Sequence, residues 1–134
     1  MKFKARIMKT DIPINGVIRP KEVVEKFLND PSKNKLPRLG EFGAPRGTWI
    51  ENVSHEIFDM WLEGDYLVAH IRPLGPKGPL LEEAIRNGLS MAATSVCTHD
   101  GYVINEIETI NCFCSMKPLA FDDGSTSLIF DIEE

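Results

Sequence analysis

Two short runs late in the chain carry metal-binding residue types at regular spacing: Cys97-Thr98-His99 and Cys112-Phe113-Cys114. On a strand, residues two apart share a face. Neighbouring antiparallel strands could therefore bring three thiolates and an imidazole together. Against that, zinc-binding cysteine pairs usually leave two or more residues between them at a tight turn, and His99 stands at the turn signal Asp100-Gly101. Cysteine is also a common small core residue. The four are expected to be core and loop residues, with no metal and no cofactor. Three cysteines, odd in number and late in the chain, do not make a disulfide framework, so reduced thiols in a cytosolic or cytosol-assembled protein are expected. His55 and His70 are the other imidazoles. His55 reads as a hydrogen-bonded strand residue and His70 as a partly exposed one. Either becomes a base only with a hydroxyl in hydrogen-bond reach.

The frame that must position these groups is one domain of 134 residues. A hydrophobic fraction of 43% with 26% charged residues excludes a disordered or fibrous chain. The 15 basic and 20 acidic side chains give a formal charge of -5. Without a basic run, that argues against nucleic acid as a partner. No apolar run approaches the roughly 18 to 20 residues of a membrane helix. No apolar stretch follows the basic start Met1 to Arg6, so a secretory signal is not expected either.

Periodicity then places the elements. Lys2 to Lys9 alternates as a strand, with Phe3, Ala5 and Ile7 on one face. Asn15-Gly16 marks a turn. Pro20 opens a helix running to Asn29, with Val23, Val24, Phe27 and Leu28 as its apolar stripe. Residues 31 to 48, broken by prolines and glycines, read as a long loop. Trp49 to Trp61 reads as extended, Glu63-Gly64-Asp65 as a hairpin turn and Tyr66 to Arg72 as the return strand. A second helix follows Gly75 to Pro79, with Leu80, Leu81, Ala84 and Ile85 as its apolar residues, and stops at Gly88. Strands are expected at Ser90 to Thr98, Tyr102 to Cys114 and Leu128 to Ile132. Trp49 and Trp61 are large apolar anchors, and Trp49 is open to an interface. The fold class expected is α+β: a small, mostly antiparallel β-barrel with two short flanking helices.

The order of short motifs goes further. Asn15-Gly16-Val17-Ile18-Arg19-Pro20 leads into the first helix, and Gly40-Glu41-Phe42-Gly43-Ala44-Pro45 follows the broken loop. Then come Val53-Ser54-His55, Asp59 to Asp65, the helix end Ile85-Arg86-Asn87-Gly88, and Met91-Ala92-Ala93-Thr94-Ser95. From about Asn15 to about Leu119 this succession resembles the prohead (capsid maturation) proteases of tailed bacteriophages, which have the herpesvirus-assemblin type of fold. The resemblance implies that Arg19 replaces a tyrosine of the first motif. It implies that Ala44 stands where the general-base histidine belongs, that Thr94 occupies the nucleophile's position, and that Ser95 matches a second serine. Val96 and Cys97 replace an arginine and a glycine beside the oxyanion, and Trp61 matches an aromatic of the family, which implies a place in the core. The late acidic residue falls near Ile110 or Asn111.

A threonine or serine hydroxyl is a weak nucleophile without an adjacent base, and alanine supplies none. The expectation is therefore a catalytically inactive relative: a phage virion protein that decorates or cements the capsid, assembled in the host cytoplasm. The alternative is a divergent endopeptidase using Thr94 or Ser95 with His55 or His70. The partners implied are the major capsid protein or other virion proteins, with a homo-oligomer as a further option. Within the broken loop, Lys33, Lys35, Arg38 and Arg46 are mixed with Leu36, Leu39 and Phe42. That composition suits a contact arm.

Overall fold

The computed structural model describes residues 1–43, 50–115 and 126–134. Nine strands and two α-helices are described. Strand β1 (Lys2–Lys9) is followed by the short pair β2 (Pro13–Ile14) and β3 (Val17–Ile18), then helix α1 (Lys21–Leu28) and strand β4 (Arg38–Glu41). A 3-10 turn at Ile50–Asn52 leads into β5 (Val53–Glu63) and β6 (Tyr66–Pro73). Helix α2 (Gly78–Arg86), β7 (Ser90–Asp100), β8 (Val103–Ser115) and β9 (Leu128–Glu133) complete the order. Five strands form one sheet in the order β4-β5-β6-β1-β9, and four form another in the order β2-β3-β8-β7. The ladders are antiparallel except β3 with β8, which is parallel. The α+β class with two helices is as expected. Closure into one barrel is not confirmed, because the described strands pair as two separate ladders.

Alternation accounts for β1: Phe3, Ala5 and Ile7 are fully buried, while Lys2, Lys4 and Arg6 lie on the other face. They meet Ile57, Leu67 and Ile71 of the same sheet and Met91, Ile104 and Ile110 of the other in one core. Helix α1 adds Val24 and Phe27 to it, and α2 adds Leu81, Ala84 and Ile85. Such residues contribute roughly 1.5 to 3 kcal/mol each on burial. The Asn15-Gly16 turn has positive φ at both residues, as a tight hairpin between twisted strands requires. No helix among the described residues is long and apolar enough to cross a membrane.

Three sequence expectations need correction. The stretch read as a loop from 31 to 48 contains β4, which pairs with β5 through Arg38 opposite Ile57 and Gly40 opposite His55. Four residues that include a glycine carry too little alternation to announce a strand. The extended run assigned from Trp49 begins as a strand only at Val53; Trp49 itself lies outside the described residues. Trp61 is not in the core. A β-bulge between Ile57 and Asp59 turns Met60 inward, and Trp61 falls on the outer face opposite Val68. There its indole N–H donates to Glu63 Oε1 at 3.3 Å.

Candidate functional site

Thr94 and Ser95 sit in the middle of β7. Thr94 lies directly opposite Asn111 of β8, and Ser95 opposite Ile110. Successive strand residues point to opposite faces, so the two hydroxyls leave the sheet on opposite sides. Ser95 shares its side with the buried Ile110 and accepts a long hydrogen bond, 3.4 Å, from Nη2 of Arg19. Thr94 shares its side with Asn111, one of the two positions the motif order gives for the late acidic residue.

The chain's histidines are all placed and all engaged elsewhere. His55 is fully buried in β5 at the seam between the two sheets. Its Nε2 lies 3.0 Å from the carbonyl oxygen of Cys112. A carbonyl only accepts, so Nε2 carries the proton and donates it, and Nδ1 accepts from the Ser54 hydroxyl at 2.7 Å. Burial pushes the His55 pKa down to about 4, only partly opposed by the Cys112 carbonyl, so the ring is neutral at neutral pH. His70 is on the outer face of the five-stranded sheet. It stacks on Phe58 at 4.1 Å between ring centroids, with Trp61 edge-on at 6.3 Å. Burial first, and then Lys4, holds its pKa below the ordinary value. His99 is exposed near the end of β7, its Nδ1 donating to the Gly101 carbonyl. Among the described residues none of these imidazoles is hydrogen-bonded to Thr94 or Ser95. Ala44 lies outside the described residues.

All three thiols are free. Cys112 and Cys114 face inward on β8, and burial raises both pKa values, that of Cys112 to about 12. Cys97 is half-buried on β7, while His99 stands exposed at that strand's end. No group of three His, Cys, Asp or Glu side chains among the described residues is arranged to hold a metal ion.

The segment read as a contact arm is a strap bound to the domain. Lys33 reaches Glu106 at 2.7 Å and Glu108 at 3.2 Å. Arg38 donates from Nη2 to the Ile110 carbonyl at 2.7 Å, from Nη1 to Asn34 Oδ1 at 2.6 Å, and from Nε to Asn111 Oδ1 at 3.2 Å. Its guanidinium also lies over the Phe27 ring, 5.7 Å from the centroid. Leu36 and Phe42 pack against the core. That leaves Lys35 and Leu39 as the exposed members, Leu39 at 56%. Arg46 lies outside the described residues.

Sequence reasoning missed Asn34 and Ser54. It also missed the ties that Arg19 and Arg38 make, because each joins residues that are adjacent in sequence only to unremarkable neighbours. Arg38→Ala is expected to lower stability by about 2 to 4 kcal/mol. It frees two side-chain oxygens and a strand carbonyl from charged donors and strips cover from Phe27. Urea unfolding monitored by circular dichroism measures this.

The two sheets, with α1 packed mainly against β8 and α2 mainly against β5, make a protease-like fold. One solved structure with this fold is the bacteriophage T4 capsid assembly protease, gp21. It superposes with a TM-score of 0.66 over 87% of this chain and 82% of that chain, at 24% sequence identity. At that identity the likeness establishes the fold, and it is the fold expected from the motif order. No family model matches the chain, and no curated protein is significantly similar to it.

Proposed function

We propose that this chain is a non-catalytic phage virion protein, a capsid decoration or cement protein that uses a maturation-protease fold for binding alone. One observation carries the reading: His55, His70 and His99 each have partners away from the Thr94 and Ser95 hydroxyls. With alanine at position 44, neither hydroxyl has an imidazole to take its proton. The major capsid protein, or another virion protein, is the partner. Many identical weak contacts on a symmetric shell sum to strong retention. The place of action is the capsid, assembled in the host cytoplasm. On the strap, Lys35 and Leu39 are the residues left open for a partner, with Lys33, Arg38, Leu36 and Phe42 serving the domain itself.

One observation favours the alternative, a divergent endopeptidase: Thr94 and Asn111 stand opposite each other, as a nucleophile and its late partner would. A fluorophosphonate probe separates the two readings. The folded protein is expected to take up no label at Thr94 or Ser95, and Thr94→Ala and Ser95→Ala are expected to leave particle assembly and precursor processing unchanged. Stoichiometric labelling at either hydroxyl would overturn the binding-only reading.

A further inference from the structure

The basic side chains that approach the body of the domain fall into two groups. Lys4, Lys21, Lys33, Arg72 and Arg86 each reach a carboxylate. Arg6, Arg19 and Arg38 reach none among the described residues, although the chain carries 20 acidic groups against 15 basic ones. Arg38 is compensated by hydrogen bonds to Asn34, Asn111 and the Ile110 carbonyl. Arg6 lies flat on the Tyr66 ring, 3.8 Å from its centroid, a cation–π contact that compensates a buried N–H.

Arg19 is compensated less than either. It lies between β3 and α1, half-buried, with its guanidinium turned toward Ser95 and Cys97 of β7. Its Nε is shut off from solvent and has no hydrogen-bond partner. Among the described residues, its one side-chain hydrogen bond is the 3.4 Å contact to Ser95 Oγ. A partly desolvated guanidinium left with open donors is unfavourable unless an anion meets it. Ser95 accepts from Arg19 and so keeps its own proton free to donate. Together they offer one planar cation and one hydroxyl.

We propose that Arg19 and Ser95 form a carboxylate-binding site at the rim of the four-stranded sheet, for an acidic side chain or a free C-terminal carboxylate of a bound polypeptide. A single guanidinium matches a monovalent planar anion, two N–H groups to two oxygens, better than it matches a dianion. The inference rests on the binding-protein reading only for the source of that carboxylate.

The test is a titration of the intact chain, read on the Arg19 Nε–Hε nuclear magnetic resonance signal. Three short peptides are used. One is capped at both ends and contains glutamate, one has no acidic side chain but a free C-terminus, and one is capped and neutral. A saturable shift with at least one carboxylate peptide, and none with the neutral one, is expected. The tighter of the two carboxylate peptides identifies the source. In Arg19→Lys, followed by backbone amides, binding is expected to weaken about tenfold, because the fork geometry is lost while the charge stays. Ser95→Ala should weaken it by a smaller factor. No saturable shift with either carboxylate peptide, an equal shift with the neutral peptide, or unchanged affinity in Arg19→Lys would overturn the site. Saturable binding here with no retention on capsids would reject the proposed function and keep the site; the reverse pattern would do the opposite.

Discussion

Gly40→Ala should destabilise the domain by about 3 to 5 kcal/mol. Gly40 faces His55 across the β4–β5 pair. A Cβ at that position would stand 2.8 Å from Cδ2 of the imidazole and overlap Nε2 and Cε1. The ring has nowhere to move: it is fully buried, and both nitrogens are held, one by Ser54 and one by the Cys112 carbonyl. Overpacking costs about 1 to 3 kcal/mol, and each buried hydrogen bond broken by a shifting ring costs about as much. Urea unfolding of the variant measures the loss. Gly40→Ala combined with His55→Ala should be more stable than the two separate effects added together, because removing the ring makes room for the methyl. Strict additivity would show that the clash is not with His55.

The second large effect is on pH dependence. His55 is neutral in the folded protein, with its pKa lowered from 6.5 to about 4 by burial. Above pH 6.5 neither the folded nor the unfolded chain protonates it, so its contribution is fully present. As pH falls from 6.5 toward 4, the unfolded state takes up a proton that the folded state refuses, and stability falls. Below about 4 both states carry the proton and the loss levels off. The whole step is worth about 3 kcal/mol. His70 shifts in the same direction but is partly exposed and adds less. Carboxylates held low by hydrogen bonds, Asp30 by Ser32 and Glu134 by Arg86, add losses at the acid end. The difference between the parent and His55→Gln isolates the histidine: between pH 6.5 and 4 the variant's stability should fall less steeply. If that variant does not fold, the imidazole carbon shifts of the parent give the same answer, and an ordinary pKa would contradict the account.

These two effects show what was legible in the sequence and what was not. Hydrophobic periodicity identified β1, β6, both helices and the long β7–β8 pair, because each spans enough residues for its alternation or stripe to stand out. It failed at β4, where four residues around Gly40 carry no pattern. The core assignment of Trp61, drawn from the family resemblance, failed because a bulge reverses the faces and a bulge has no signature in residue type. His55 was placed correctly as a hydrogen-bonded strand residue, but its partners were not foreseen. One is a neighbouring serine, and the other is a backbone carbonyl 57 positions away. The segment from Lys33 to Arg46 was read from composition as a contact arm. Composition does not reveal that Lys33 and Arg38 point back onto β8, because the acceptors there, Glu106, Glu108, Asn111 and the Ile110 carbonyl, come into reach only once the sheet forms.

Thr94 and Ser95 leave β7 on opposite sides, Ser95 toward Arg19, and the buried imidazole is locked into the seam between sheets. On the proposed binding reading, Lys35 and Leu39 are the exposed positions of the strap among the described residues. A leucine anchor buried on a partner can contribute up to roughly 2 kcal/mol at each copy, more than the roughly 0.2 to 1 kcal/mol of an exposed charge such as Lys35.

The central claim, binding without proteolysis, is tested most directly by co-sedimentation of the purified protein with capsids of its own phage across a salt series, with intact masses taken of every protein in the pellet. The account predicts saturable retention with all masses unchanged. It also predicts weaker retention for Leu39→Ala than for Lys35→Ala, both variants being folded. Capsid or scaffold precursors shortened by the parent but not by Thr94→Ala or Ser95→Ala would contradict the account, as would no retention at any salt concentration.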